Sequence, residues 1–365
     1  MSVGSEQARD LLTEMVSTPS VSGEEEEAAD LLVDFFEAYD REAWIDRVGN
    51  VRAPADDRLL LTSHIDTVPG EIPVRTDDGV LWGRGSVDAT GPLCAMAVAA
   101  VVSDTSFAGV VGEETDSRGA WHLIENRTSP EALINGEPSG WDGVTLGYRG
   151  MLAGTYVATS ESGHTSRPTP NAIQHAIGWW SRVEAAFSPS EDEEWGPVFE
   201  RVTTKPVGME GGTDADGLSV SATLDGQFRV PPSMTIEEVR EIAEHELHSS
   251  SNRSSGRSPR DGELRSDTDA TGTVNWGKPI PPVMKSPRTD LARAFRVAIR
   301  GEGGDPRLLR KTGTSDMNIY ASAWDCPMVT YGPGDSDLDH APDERLSLAE
   351  YDRSVTVLRE VCNSL

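Results

Sequence analysis

Apolar positions in the first 140 residues follow two periods. Spacings of three and four run through residues 5–16 and 24–40, which predicts two amphipathic helices. Ser22 and Glu25 in "SVSGEEEE" have the spacing of a capping box for the second. Beyond them short apolar runs alternate with helical ones: strand 58–64, helix 90–102, strand 107–112, helix 117–126, strand 131–136. That rhythm predicts an α/β domain with a mostly parallel sheet.

From about Tyr148 the order changes. A strand ("MLAGTYVAT") leads to a helix ("NAIQHAIGWWSRVEAAF") and an acidic loop. Strands follow near 201–208 and 217–229, then a helix ("TIEEVREIAEHELH") behind Pro231 and Pro232, and a strand near 262–273. A β-α-β-β-α-β order is that of a small ferredoxin-like α+β module. The helix "RTDLARAFRVAIR", a strand at 326–331 and a helix at 347–362 then return to the first style. One domain, 1–148 with 274–365, is therefore expected to be interrupted by another, 149–273. A chain of 365 residues also exceeds what one core usually serves.

Composition narrows the class. Hydrophobic residues make up 37%, an ordinary globular share. No run nears the roughly 20 apolar residues of a membrane helix, and "MSVGSEQARDLL" has no basic segment followed by an apolar one, so a soluble, cytoplasmic protein is expected. Cys94, Cys326 and Cys362 are odd in number and scattered, which points to core residues rather than disulfides or a thiolate metal site. The net charge of −29 comes from 61 acidic against 32 basic residues, of which four are lysines. Such an excess repels nucleic acid and anionic membrane. It suits a salt-accumulating cytosol, since at molar salt the Debye length is about 3 Å.

Candidate chemistry sits where the predicted strands end. In "LLLTSHIDTVPG", His64 and Asp66 stand two apart and so on one face of the strand. A carboxylate beside a metal-ligating imidazole can hold its other ring nitrogen. "GRGSVDATGP" then places Asp88 in a Gly-rich turn, "VVGEETDSRG" places Glu113 and Glu114 after a strand, "LINGEPSG" places Glu137 after another, and "YGPGDSDLDHAPDE" supplies His340. In a parallel sheet these loops share one edge. So many carboxylates gather only around cations, and two histidines with three or four carboxylates suit zinc, and also cobalt or manganese. With this many ligands two ions are expected, one carboxylate bridging them. If Glu114 is a ligand, its neighbour Glu113 faces the other way and is free to act as general base in hydrolysis.

The motifs "HIDTVPG", "GRGSVDATGP", "GEET", "GEPSG", "GHTSRP", "KTGTSDMN" and "DHAPDE", in this order, resemble those of the co-catalytic dizinc amidohydrolase family that includes carboxypeptidase G, acetylornithine deacetylase and succinyl-diaminopimelate desuccinylase. The resemblance implies a zinc-peptidase-like catalytic domain and a metal-dependent hydrolase of linear amides. It implies His64 and Glu137 on one zinc, Glu114 and His340 on the other, and Asp88 bridging. Glu113 becomes the general base and Asp66 the partner of His64. The inserted domain becomes a lid that mediates homodimerisation, and His164 of "GHTSRP" reaches a partner's site to stabilise the oxyanion. One position departs: where relatives commonly have lysine two residues after the bridging aspartate, this chain has Thr90.

Within the family, "GEPSGWDGVTLGYRG" and "RKTGTSDMN" look closest to hydrolases that release lysine or ornithine from the terminal glutamate of an acidic amino-group carrier protein of the LysW type, the last step of lysine or arginine synthesis. A basic cluster, Arg288, Arg293, Arg296, Arg300, Arg307, Arg310 and Lys311, is a candidate receiver for such a carrier. An N-acetylornithine or N-acetyl-lysine deacetylase, or a dipeptidase, would use the same metal residues. A catalytically silent metal-binding scaffold would have no use for a free carboxylate beside a ligand.

Overall fold

Strands Thr105–Val110 and Ala132–Gly136 are buried along almost their whole length, as strands covered on both faces must be. They belong to a computed structural model that describes residues 3–160, 169–189, 194, 196–248 and 272–365. The chain divides into two compact units: Met1–Gly147 with Val283–Lys311 and Ser315–Leu365, and Tyr148–Pro282 with Thr312–Thr314.

In the first unit the sheet runs Trp44–Ile45, Val51–Ala53, Thr105–Val110, Asp56–His64, Ala132–Gly136, Met328–Thr330, Gly143–Tyr148, Val283–Met284. The four strands from Thr105–Val110 to Met328–Thr330 are mutually parallel. Their register pairs His64 with Val110, Ser63 with Gly136 and Thr330 with Asn135, so all four end at nearly the same level. Gly136 has no room for a side chain, since a Cβ there would stand 2.7 Å from that of Ser63. Helix Thr90–Ser103 is buried from Thr90 to Val101, packed on strands Asp56–His64 and Thr105–Val110 and against helices Ser5–Ser17 and Leu348–Ser364. Its lack of a polar face follows from that central place.

The expected capping box is a correction. Helix Glu26–Ala38 starts later, with Glu25 as a cap residue that makes no side-chain cap bond. Ser22 instead donates to Asp66, and Glu25 takes the Gly23 amide and Arg118. Both side chains meet stronger partners than a helix end offers.

The second unit has the ferredoxin-like order. Strands Thr203–Thr213, Val220–Val230, Gly150–Ser160 and Thr273–Trp276 lie side by side, all antiparallel. The last falls at the C-terminal limit of the expected 262–273, most of which lies outside the described residues. Gly150–Ser160 alternates buried and half-buried positions, the mark of a sheet covered on one face. That face holds Trp179, Trp180, Val183, Val239 and Ala243 from helices Ala172–Ala186 and Ile236–His248. The Trp179 indole N–H donates to the Ala243 carbonyl at 3.0 Å and joins the helices. Cys94 and Cys326 are buried and Cys362 is half-buried, none in a disulfide. No helix of the described residues is long and apolar enough to cross a membrane.

Candidate metal centre

His64 is the last residue of its strand and 1% exposed. Its Nδ1 lies 2.9 Å from the Asp66 backbone carbonyl, an acceptor, so Nδ1 carries the proton. Nε2 then turns a lone pair toward Asp88 Oδ1 at 3.2 Å. Two acceptors face each other there unless a proton or a cation lies between. The other Asp88 oxygen stands 3.2 Å from His340 Nε2, which is also 3.0 Å from Glu114 Oε1. Asp88 thus sits between two imidazoles brought from opposite ends of the sequence.

Three sets of ligand atoms lie within 4.8 Å of one another: His64, Asp88 and Glu137; Asp88, Glu114 and His340; and His64, Glu113 and Glu114. The first two share Asp88 and together use all five ligand candidates, leaving Glu113 over. All six residues leave the carboxyl edge of the first unit's sheet or the turn before its buried helix. Gly112, at φ +76°, makes the turn into Glu113 in a region that disfavours other residues.

Asp66 does more than its expected pairing with His64. Its carboxylate is 3.6 Å from His64 Nδ1, but it accepts the backbone N–H groups of Glu113 at 3.0 Å and Glu114 at 3.1 Å and the Ser22 hydroxyl at 2.6 Å. Burial raises its pKa, yet His64, Ser22 and the Glu114 amide outweigh that and hold it at about 2. Asp66 is therefore the anchor of the loop that presents both glutamates.

Sequence reasoning missed a second anchor. Glu344 is 1% exposed, and each of its oxygens accepts two bonds. Oε1 takes the N–H groups of Val87 at 2.8 Å and Asp88 at 3.0 Å, and Oε2 takes Gly85 at 3.1 Å and the Arg84 guanidinium at 2.9 Å. It fixes the turn that ends in Asp88. Asp316 and Asp339 were missed as well, although "TSDMN" and "DSDLDH" contain them; each has a buried carboxylate oxygen with no hydrogen-bond partner.

The cluster is overloaded with acid. Burial, reinforced by neighbouring carboxylates, pushes Glu113 and Glu137 well above the ordinary glutamate range. Burial raises Glu114 too, and takes Asp316 to about 7 and Asp339 to about 8. His340 rises to about 9, chiefly through its bond to Asp88. Without cations the site stores protons to relieve this repulsion. His64 Nε2 and Asp88 Oδ1 only 3.2 Å apart, carboxylates shifted toward neutrality and an N/O donor set all fit divalent cations.

His164 and the rest of "GHTSRP" lie outside the described residues. In the basic cluster, Arg293 is paired with Asp290 at 3.0 Å and Arg307 with Asp142 at 2.6 Å. The Arg296 guanidinium donates to the Ala292 and Pro287 carbonyls. Those charges are partly satisfied within their own surroundings.

A curated LysW-lysine hydrolase of Deinococcus radiodurans is 38% identical over 376 residues, covering 98% of this chain and 97% of its own. A LysW-lysine/LysW-ornithine hydrolase of Sulfurisphaera tokodaii is 28% identical over 363 residues, covering 97% and 95%. The crystal structure of the aminopeptidase PepT of Bacillus cereus superposes with a TM-score of 0.77 over 99% of both chains at 17% identity, a likeness of fold. The family model described as peptidase family M20/M25/M40 matches residues 60–364. Catalytic-site geometry aside, that match over most of the length places this chain as a member of peptidase family M20/M25/M40.

Proposed function

We propose that the protein is a metal-dependent amidohydrolase that releases lysine or ornithine from the terminal glutamate of an acidic amino-group carrier protein. The observation that carries the chemistry is Asp88, shared by two ligand groups on one sheet edge. The full-length likeness to LysW-lysine hydrolase supports the substrate.

His64, Asp88 and Glu137 would hold one divalent ion and Asp88, Glu114 and His340 a second, zinc suiting the donors best and cobalt being an alternative. Such a pair supplies Lewis acidity toward the amide carbonyl and eases deprotonation of water. Glu113 is the residue left to move protons. Its buried carboxylate, raised by burial and by Glu137, takes a proton from the attacking water and delivers it to the departing amino nitrogen. Asp66 positions Glu113 through its backbone amide, and Glu344 positions Asp88 in the same way.

His164 completes the reading as the oxyanion donor, contributed across a homodimer built through the inserted unit, in which residues 149–273 act as lid and dimerisation domain. Lysine or arginine synthesis is the setting this gives. The test compares kcat/KM for carrier-linked lysine, carrier-linked ornithine and N-acetylornithine in high salt. Preference for a carrier conjugate supports the proposal; preference for N-acetylornithine overturns its substrate and makes the protein a deacetylase.

A further inference from the structure

Lys311 ends strand Arg307–Lys311, half-buried, and its ammonium donates to the Pro138 backbone carbonyl. Pro138 follows Glu137, so this cation is held one residue from a proposed metal ligand. Among the described residues, however, it forms no ion pair. Other cations around the site are committed: Arg84 to Glu344 at 2.9 Å, Arg118 to Glu25 at 2.6 Å and Arg307 to Asp142 at 2.6 Å. In a chain with four lysines and 61 acidic residues, a half-buried ammonium beside the site whose one hydrogen bond among the described residues is to a backbone carbonyl has the chemistry to receive an anion.

The proposed substrate brings carboxylates to that place. Its scissile nitrogen is two bonds from the α-carboxylate of the departing amino acid, and its scissile carbonyl carbon is joined through the glutamate side chain to the carrier's terminal carboxylate. Either, taken out of water beside the scissile amide, needs a cationic hydrogen-bond donor to receive it. We infer that Lys311 binds a substrate carboxylate next to the scissile amide and so sets specificity for carboxylate-bearing amides. This rests on the amidohydrolase reading above and extends it to the substrate's own charge.

The test uses the zinc-loaded full-length enzyme in high salt with γ-glutamyl-lysine, its lysinamide form and its glutamate α-amide form. Amidating the carboxylate that Lys311 holds should lower wild-type kcat/KM roughly 10- to 100-fold, mainly through KM, the range of one charge-assisted hydrogen bond. K311M should lower turnover of the diacid by a similar factor and leave the correctly amidated compound no worse, while K311R restores part of the loss. An effect confined to the lysinamide assigns the amino acid's carboxylate; one confined to the glutamate α-amide assigns the carrier's. Equal losses on all three substrates, or a fall in zinc affinity by chelator competition with no change in substrate preference, would overturn the inference and make Lys311 a structural counter-ion. N-acetyl-lysine and N-acetyl-lysinamide, run in parallel, separate the two claims. If these alone are hydrolysed, the carrier reading falls and the same comparison still decides Lys311. No turnover of any compound overturns both.

Discussion

Replacing Glu344 by glutamine tests whether the Asp88 turn is held as described. The native carboxylate, 1% exposed, accepts two bonds on each oxygen. A glutamine can keep one pair, but its NH2 group then faces the other two donors, which are also out of reach of water. A buried donor left without an acceptor costs about 1–3 kcal/mol, and breaking a buried charged pair costs about 3–5 kcal/mol, so E344Q should lose about 3–5 kcal/mol. In a chain of this size that corresponds to a fall in Tm of roughly 4–7 °C. Asp88 itself donates one of the four bonds, so zinc affinity should drop about 10- to 100-fold, as for other supports behind a metal ligand. Thermal unfolding of the metal-free protein and competition against a chromophoric chelator read the two effects separately. Unchanged Tm together with unchanged zinc affinity would refute the reasoning, because it would mean that the four bonds do not hold the turn.

Three further outcomes follow from the same geometry. E113Q should lower kcat about 100- to 10,000-fold, the range of a lost general base, while both metal equivalents stay bound; loss of metal in that variant would reassign Glu113 as a ligand. D66N removes an acceptor from the Glu113 and Glu114 amides and should weaken zinc binding about 10- to 100-fold, measured by chelator competition, with wild-type affinity counting against the anchoring role. In the metal-free protein His340 is raised to about 9, Asp316 to about 7 and Asp339 to about 8. The folded state then binds more protons than the unfolded one. Stability should therefore fall as pH rises from about 4 toward 9, and zinc loading at pH 7 should release protons, detectable as buffer-dependent heat in calorimetry. A metal-free Tm that climbs across that window would contradict the assignment.

Much of this was legible in the sequence because it is periodic or local. Fully apolar runs gave the parallel strands, and the β-α-β-β-α-β order gave the second unit's sheet. Each ligand candidate could be found because it follows a strand in a turn-rich loop. What stayed hidden depends on contacts between distant segments. Glu344 looks like one more surface acid in "APDE", and only the fold brings four donors to it from residues 84–88. Ser22 was expected to cap a helix, but a carboxylate 44 positions away competes for its hydroxyl. Strands Arg75–Asp77, Val80–Trp82 and Arg345–Ser347 are three residues each, too short for a period to register. Asp316 shows nothing unusual along the chain; its significance lies in being buried among other acids.

The most direct test titrates zinc into the metal-free enzyme in high salt while free lysine released from carrier-linked lysine is measured. The account predicts no release without metal, a rise in rate that levels off at two equivalents per chain, and almost none at any loading in E113Q. Full activity in the metal-free protein, or no release from the carrier at two equivalents, would contradict it.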